Sequence, residues 1–404
     1  MQQANIERGI QLFQIGRYQD AISYLGKAPN DWTANYYLAL CQYNISDYQK
    51  ADELANRLLS ERPDDPSIFY LKAKIALQLD QDKRALEYID EAISIYPYDA
   101  DFFGLKGAML LRKKKFEDAL NLVNEGLRIN AKNAFCLNTR AQILTKLDRM
   151  DEANQTVDYL LHDNPEDSYS HTNVGWVALE QGDHRKAMNH FKQALQYDPN
   201  FQYAKDGLST ALKSKNFLYR WYLKYAFWIG NQSTRNQWFF IIGLYLIYQF
   251  SVRILDHTGL EIVAIPIIFI YLFFALGGWI MEPLSNAILN FDRFGKYLLD
   301  NDQKWSGITF TTLIVLALLA LALRYATGFD HFMLIAIASV CAILPLPRAF
   351  LAEKKKSRII GWSYGALILA VGFFGILVYP QFDTIVLSLV LMMMAYTWFG
   401  NVFN

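Results

Sequence analysis

The chain has 404 residues, of which 53% are hydrophobic, and its 39 basic residues balance its 39 acidic residues. These averages hide a division, because acidic residues predominate up to Lys213 while basic residues and long apolar runs predominate after it. The composition therefore excludes one uniform soluble domain and indicates a soluble domain followed by a membrane domain.

The first half of the chain is marked by an alanine that recurs at a constant step of 34 residues, with a proline that keeps the same step. A fixed period of this length predicts stacked helical hairpins, each of which buries its apolar face on its neighbour. The markers are Ala51, Ala85, Ala119, Ala153 and Ala187, followed by Pro63, Pro97, Pro165 and Pro199.

The last of these units resembles the tetratricopeptide repeat (TPR) family. Its small, aromatic and helix-stopping residues are Gly175, Ala178, Gly182, Asp183, Ala187, Phe191, Ala194, Leu195 and Pro199. The resemblance implies a pair of helices per unit, A and B, with small residues where they meet. We therefore expect an all-α fold in which residues 1–214 form a cytoplasmic TPR solenoid of about six repeats plus a capping helix.

Residues 215–236 form an aromatic and basic linker between the two halves of the chain. Aromatic rings mixed with cations are typical of a helix that lies at the membrane interface. The alternative is that the rings cover the last hairpin of the solenoid, which needs an apolar cap. Both interpretations remain open at this point.

Residues 237–404 are predicted to form a helical transmembrane domain of six spans. Each apolar stretch is near the ~20 residues that cross the hydrocarbon core. The predicted spans are 237–255, 259–281, 307–326, 329–347, 359–379 and 382–401.

The basic residues predict the orientation of these spans. Most of them lie before the first span, in the loop after the second and in the loop after the fourth, whereas the opposite side has only Arg253 and Arg324. Basic loops stay in the cytoplasm. We therefore expect a multi-pass protein of the bacterial inner membrane with both termini in the cytoplasm.

The loop 282–306 contains the sequence Glu282 to Asn286 and then Leu289 to Lys296. It resembles uncharacterised bacterial TPR proteins with a multi-span membrane tail, a resemblance that supports the topology and implies no reaction. The spacing of its apolar residues predicts an amphipathic helix over 285–298. A membrane-surface position is favoured for this helix, and a contact with the repeat domain is the alternative.

The three short outer turns carry acidic residues, and two of them also carry histidine. A metal or proton site built by Asp256, His257, Asp330 and His331 is one hypothesis. The other is that Asp256, Asp330 and Asp383 cap the N-termini of helices. Capping is favoured, because no histidine pair has the i, i+4 spacing of a helical metal site.

No sequence motif indicates catalysis: the chain has no phosphate-binding glycine loop, nucleotide fingerprint or nucleophile elbow. We expect no catalytic residue, metal or cofactor, and no nucleic-acid partner. The three cysteines have neither metal nor disulfide spacing, so buried reduced thiols are expected. They are Cys41, Cys136 and Cys341.

Binding is the activity that the repeats predict, because a solenoid of helical hairpins presents a concave surface made by its A helices. An aromatic and amide-rich surface of this kind suits a protein or peptide ligand. Its predicted residues are Tyr36, Tyr70, Lys74, Asn138, Gln142, Thr172, Asn173 and Trp176.

The favoured function is a membrane-anchored scaffold or adaptor that binds protein partners. The alternative is a membrane-embedded enzyme, or a protein that handles lipids or hydrophobic solutes, regulated by its TPR domain. The sequence leaves the partner, the pathway and the oligomeric state open.

Overall fold

The computed structural model describes residues 2–163, 165–257, 261–292, 295–297, 299–352, 354–378 and 381–399. Every regular element in these ranges is a helix, and they contain no strand. The chain divides into two compact units, residues 1–177 and 178–404. This division follows compactness alone, so the predicted change of character at residue 214 stays a prediction.

The first unit is a series of antiparallel helix pairs. From α3 onward its helices alternate between 13 and 14 residues. They are α1 (Gln2–Gln14), α2 (Tyr18–Leu25), α3 (Trp32–Asn44), α4 (Tyr48–Glu61), α5 (Pro66–Gln78), α6 (Asp82–Ile95), α7 (Ala100–Arg112), α8 (Phe116–Ile129), α9 (Ala134–Lys146), α10 (Met150–Asp163) and α11 (Ser168–Glu180), the last of which ends in the second unit.

Short polar side chains begin most of the odd-numbered helices of this series. Asp31 accepts a hydrogen bond from the backbone N–H of Ala34, and Asp65 accepts one from Ser67. Such caps satisfy backbone donors that the first helical turn leaves unpaired. Asp99 and Asn133 do the same for α7 and α9. The cap therefore recurs with the period of the repeat.

The turn inside each hairpin requires a left-handed residue, again at a step of 34. Within the 34-residue series only the last position is a glycine, Gly182 at φ +85°, and the turn of the first hairpin has Gly16 at φ +75°. A non-glycine residue pays about 1 kcal/mol or more for this conformation. The others are Ser46 (φ 65°), Asp80 (φ 56°), Lys114 (φ 58°) and Asp148 (φ 59°).

Small residues bring the two helices of a hairpin together. The alanines of the 34-residue step, Ala51 through Ala187, are all fully buried. A Cβ atom added to Gly107 on α7 would lie 2.5 Å from Cγ1 of Val123 on α8. The step in the sequence therefore marks the contact between helices, as predicted, and the helical-repeat fold is confirmed.

The second unit continues with helices that lengthen towards the apolar half of the chain. They are α12 (His184–Tyr197), α13 (Gln202–Lys213), α14 (Phe217–Asn231), α15 (Thr234–His257), α16 (Glu261–Phe291), the short 3-10 helix η1 (Gly295–Tyr297), α17 (Asn301–Thr327), α18 (His331–Ala342), α19 (Pro345–Leu351), α20 (Lys355–Val378) and α21 (Phe382–Phe399).

Four helical stretches among the described residues are long and apolar enough to cross a membrane, and a shorter apolar helix covers Phe382–Thr397. They coincide with the first, third, fourth and fifth predicted spans. A domain of six spans stays a prediction, and part of the predicted 259–281 and 382–401 lies outside the described residues. The four stretches are Arg235–Ile254, Asn301–Thr327, His331–Leu351 and Lys355–Gly375.

The apolar helices share one core, to which α16, α17, α18, α20 and α21 contribute Ala287, Phe310, Leu334, Ile368 and Leu389. Glycines on α20 allow its neighbours to approach closely. A Cβ atom at Gly365 would lie 2.3 Å from Cγ of Leu346, and one at Gly372 would lie 2.2 Å from Cβ of Ala338. Small residues at such crossings are typical of packed membrane helices.

The fourth predicted span, 329–347, is not one helix. It consists of α18 and α19, which are separated by a turn at Ile343 and Leu344. Pro345 starts α19, where a proline lacks the N–H group that would continue the preceding helix. The break therefore follows from a residue that the sequence shows plainly.

The predicted amphipathic helix over 285–298 is not a separate element, because α16 continues without interruption to Phe291. Asn286 is fully buried and Leu289 is almost fully buried, so packing on one face carries the helix past Pro283. Gly295 lies in close contact with Leu289, since an added Cβ would lie 2.7 Å from Cδ2 of that residue. Phe294 and Leu298 lie outside the described residues.

The aromatic linker forms α14, and its rings pack against the next two helices. The ring centroids of Tyr225 and Phe274 on α16 are 4.9 Å apart, and those of Trp228 and Phe240 on α15 are 5.1 Å apart. Lys224 also approaches the turn before α12, where its Cε lies 3.1 Å from an added Cβ at Gly182. The approach of Lys224 to Gly182 is consistent with contact between the linker and the last hairpin. The membrane-interface position stays a prediction.

Candidate protein-interaction surface

The eight predicted binding residues lie on four A helices of the first unit. Tyr36 is on α3, and Tyr70 and Lys74 are on α5. On α9 and α11 the same two positions of the repeat recur. They are filled by Asn138 and Gln142 on α9 and by Thr172 and Trp176 on α11, next to Asn173. We call this set the helix-A face.

The N-terminal half of the helix-A face is a cluster of rings around one ammonium group. Nζ of Lys74 lies 4.7 Å from the ring centre of Tyr43 and 5.6 Å from that of Tyr70. Tyr70 in turn packs on Phe102 of α7 at a centroid distance of 5.2 Å. Burial lowers the pKa of Lys74, and the nearby charge of Asp101 partly opposes that shift.

A second stack lies on α3. The rings of Tyr36 and Trp32 are stacked with a centroid distance of 5.4 Å, and the guanidinium of Arg62 lies 4.1 Å from the Trp32 ring. Burial is the main cause of the raised pKa of the Tyr36 phenol. The rings of Trp32 and Tyr36 are half-buried, so part of each ring is accessible to a ligand.

The C-terminal half of the helix-A face has a different construction. Nε2 of Gln142 donates to Oδ1 of Asn173 at 2.9 Å, and Nδ2 of Asn173 donates to Oδ1 of Asn138 at 3.0 Å. Nδ2 of Asn138 completes the series by donating to Oγ of Ser170 at 3.1 Å. We call this set the amide ladder, and it joins α9 to α11.

The amide ladder places three predicted binding residues in the interior. Asn138 and Asn173 are each only 2% exposed, and Thr172 is fully buried with its hydroxyl donating to the Ser168 carbonyl. Asn138 and Asn173 use their polar atoms between α9 and α11, and Thr172 uses its hydroxyl within α11, so these groups do not face a ligand. Of the predicted set, Tyr36, Tyr70, Lys74, Gln142 and Trp176 are half-buried. Their part in binding stays a prediction.

The sequence interpretation missed several residues of the face. The ring of Tyr43 contacts the ammonium of Lys74. Tyr43 lies two turns beyond Tyr36 on the same side of α3, so it could have been predicted from helical periodicity. In the repeat on α7, the equivalent positions hold the small residues Gly104 and Ala108. Ala108 is half-buried and has no large side chain, so side chains project least from the helix-A face at this position.

The outer turns differ from the prediction. Asp330 occupies the N-cap position of α18 but makes no capping hydrogen bond; its carboxylate instead pairs with Arg324 at 2.8 Å. The predicted cap is therefore wrong for Asp330. Asp256 lies in the last turn of α15, and Asp383 lies inside the first turn of α21, so neither occupies an N-cap. The side chains of Asp256 and His257 lie outside the described part.

No group of three or more histidine, cysteine, aspartate or glutamate side chains among the described residues could hold a metal ion. The cysteines are buried and free, as predicted. Burial raises the pKa of the Cys41 thiol to about 11 and is the main cause that raises that of Cys136 to about 12. Protonated thiols of this kind are poor nucleophiles.

Comparison with known families identifies the repeats. Models of the tetratricopeptide repeat match residues 12–75, 66–99 and 168–201. The chain is a tetratricopeptide-repeat protein. TPR domains bind protein or peptide partners.

Several solved structures are similar to about half of the chain. PilF of Pseudomonas aeruginosa has 20% identity and a TM-score of 0.40, with 51% of this chain and 95% of that chain covered. A tetratricopeptide repeat protein of Parabacteroides merdae has 15% identity and a TM-score of 0.46, with 52% and 84% covered. The type IV pilus biogenesis factor PilW has 17% identity and a TM-score of 0.40, with 48% and 90% covered. No curated protein sequence matches the chain.

Proposed function

We propose that this TPR protein is a membrane-anchored scaffold whose helix-A face binds an extended peptide of a partner protein. The observation that carries the proposal is the half-exposed cluster of Tyr43, Tyr70 and Lys74 beside the small residues of α7. It combines partly exposed rings with a cation, and the equivalent of Lys74 in the next repeat is Ala108, which has no large side chain.

The chemistry of the cluster favours a ligand with large apolar side chains. Aromatic rings offer wide contact area at a low cost in conformational entropy. The charge of Asp101 already acts on Lys74, so the ammonium needs no acidic ligand residue to balance it. A ring or aliphatic side chain of the peptide would rest against Tyr43 and Tyr70 and cover Ala108.

The membrane part of the proposal rests on the four apolar helical stretches and on the distribution of basic residues. We place the TPR region, both termini and the basic loops in the cytoplasm of a bacterium. Reporter fusions within Lys354 to Lys356 and after Asn404 test this topology. Cytoplasmic reporter activity is expected at both points, and an exported reporter at either point would contradict it.

Site-specific crosslinking tests the binding proposal. A photoreactive amino acid is placed at Ala108 of the full-length protein in native membranes, and a second version carries it at the exposed Glu87 of α6 as a control. We expect a defined partner that crosslinks from position 108 and not from position 87. The proposal predicts that Lys74→Met and Tyr70→Ala reduce that crosslink at equal protein level. Identical crosslinks from both positions would contradict it.

A further inference from the structure

A cavity of about 320 Å³ opens between α16 and the end of α19 in the second unit. Its walls include Trp279 and Glu282 of α16, Arg348 of α19 and Lys354 beyond it. Two cations and one carboxylate therefore border a space the size of a small polar group. The cavity belongs to the apolar half of the chain, so a ligand there is independent of peptide binding by the TPR region.

Arg348 is held in this cavity by a ring. Its guanidinium carbon lies 3.9 Å from the centre of the Trp279 ring, and that ring also contacts Tyr396 at a centroid distance of 5.7 Å, edge to face. Trp279 is 8% exposed and Tyr396 is 9% exposed, so the support is rigid. A cation–π contact uses none of the five N–H donors of the guanidinium.

Those donors are open. Among the described residues, no side-chain or backbone oxygen accepts a hydrogen bond from Arg348, and no carboxylate lies within 4.0 Å of it. Two other arginines of the second unit are paired: Arg324 with Asp330 at 2.8 Å and Arg358 with Asp302 at 2.7 Å. A half-buried guanidinium whose donors have no oxygen partner among the described residues is suited to a carboxylate or phosphate from outside the chain.

The carboxylate of Glu282 limits the kind of anionic ligand that the cavity can bind. A ligand that carries only negative charge would approach Arg348 and Lys354 but would be repelled by Glu282. A ligand with a phosphate and a neighbouring primary amine satisfies both signs, because the amine can donate hydrogen bonds to the carboxylate. Basic pockets between membrane helices are a known form of headgroup site.

We propose that the cavity binds a phosphate ester that carries a primary amine, with the phosphate on Arg348 and the amine at Glu282. Two sources share this chemistry: the headgroup of phosphatidylethanolamine and a soluble ethanolamine phosphate ester. The cavity volume suits a headgroup and leaves the acyl chains of a lipid outside the pocket.

Native mass spectrometry of the full-length protein in detergent tests the proposal with three probes. They are short-chain phosphatidylethanolamine, phosphatidylglycerol, which has no amine, and soluble glycerophosphoethanolamine. We expect phosphatidylethanolamine to bind more tightly than phosphatidylglycerol. Equal binding of the glycerophosphoethanolamine would identify a soluble ligand, whereas absence of that binding would identify the lipid; absence of binding by both amine probes would overturn the proposal.

Variants assign the roles. Arg348→Gln should weaken phosphatidylethanolamine binding about ten-fold or more, since a charge-assisted hydrogen bond is lost. Glu282→Gln should reduce the preference for phosphatidylethanolamine over phosphatidylglycerol. Lys355→Gln, an exposed lysine that does not line the cavity, is the control and should change neither value.

A second variant at position 348 distinguishes loss of the binding site from a folding defect. If Arg348→Gln lowers the melting temperature, Arg348→Lys keeps the charge over Trp279 and loses only the planar fork, so it should bind phosphatidylethanolamine less tightly than the wild type. Wild-type binding by both Arg348 variants would overturn the site. Wild-type selectivity in Glu282→Gln would overturn the assignment of the amine.

Discussion

The two halves of the helix-A face occupy equivalent positions of the same repeat and yet are built differently. Tyr70 and Lys74 on α5 form a half-exposed cluster of rings and charge, whereas Asn138 and Gln142 on α9 belong to the amide ladder, in which Asn138 is 2% exposed. The comparison shows that the repeat determines the backbone position of each residue on the A helix. The length and chemistry of the side chain determine whether it contacts a ligand or a neighbouring helix.

The amide ladder should give the largest change in stability. Asn173→Ala removes one partner from the buried Asn138 and one from the half-buried Gln142, and a buried polar group left unpaired costs about 1–3 kcal/mol. We expect a loss of about 3 kcal/mol in the free energy of unfolding, measured by denaturant titration of the purified protein. The exposed Asn121 of α8 is the control, since Asn121→Ala should change stability by about 0.5 kcal/mol or less. Equal losses in both variants would remove the distinction between interior amides and surface amides.

The turn at Lys114 lies between the two halves of the helix-A face. A substitution there should change stability by an intermediate amount, and it should stabilise the protein. Lys114 has φ 58°, so Lys114→Gly should stabilise the protein by about 1 kcal/mol, because glycine adopts this conformation without strain. Lys113 has φ −80°, and Lys113→Gly should therefore be neutral or destabilising. Denaturant midpoints measure both changes. A destabilising Lys114→Gly would show that its backbone is not strained.

The ring cluster should give a small change in stability. Lys74→Met keeps the apolar stem and removes the charge over Tyr43 and Tyr70, a contact of about 0.5–1 kcal/mol at a partly exposed site. We expect a change within that range in the free energy of unfolding, in contrast to Asn173→Ala. A loss as large as that of Asn173→Ala would mean that the cluster supports the fold in the same way as the ladder.

The smallest expected effect is the pH dependence of the difference in unfolding free energy between the wild type and Lys74→Met. Burial lowers the pKa of Lys74 in the folded protein below its ordinary value of 10.5, so the folded state releases the proton first. The unfolded state then binds more protons between the two values, and stability rises with pH there. The free energy of unfolding of the wild type relative to Lys74→Met should therefore increase as the pH approaches 10.5. A decrease over that range would contradict the burial of the ammonium.

Much of the repeat region could be predicted from the sequence because one period fixes many contacts. The alanine step marks buried residues in every unit, and the all-helical fold follows. The amide ladder could not be predicted, since the period gives the face of Asn138 and not the distance to Asn173. The left-handed turn at Lys114 was hidden for a related reason: four of the five turns in the 34-residue series lack the glycine that usually signals it.

The second unit was less predictable because packing between distant segments overrides local signals. A span ending at 281 and a separate helix over 285–298 were predicted, but burial of Asn286 and Leu289 continues α16 to Phe291. Asp330 has the residue type of a cap and pairs instead with Arg324, because the end of α17 lies close to it. The contact of Arg348 with Trp279 joins segments that are far apart in the sequence, so no local pattern indicates the cavity.

Peptide selection tests the central claim most directly. Peptides from a random display library are selected on the full-length protein in nanodiscs, and their affinities are measured for the wild type, Ala108→Trp and the control Glu87→Trp. The account predicts that selected peptides bind the wild type and Glu87→Trp with equal affinity. Their affinity for Ala108→Trp should be at least about ten-fold lower, because the indole occupies the part of the helix-A face where side chains are smallest. Unchanged affinity for Ala108→Trp would show that the ligand binds elsewhere and would contradict the account.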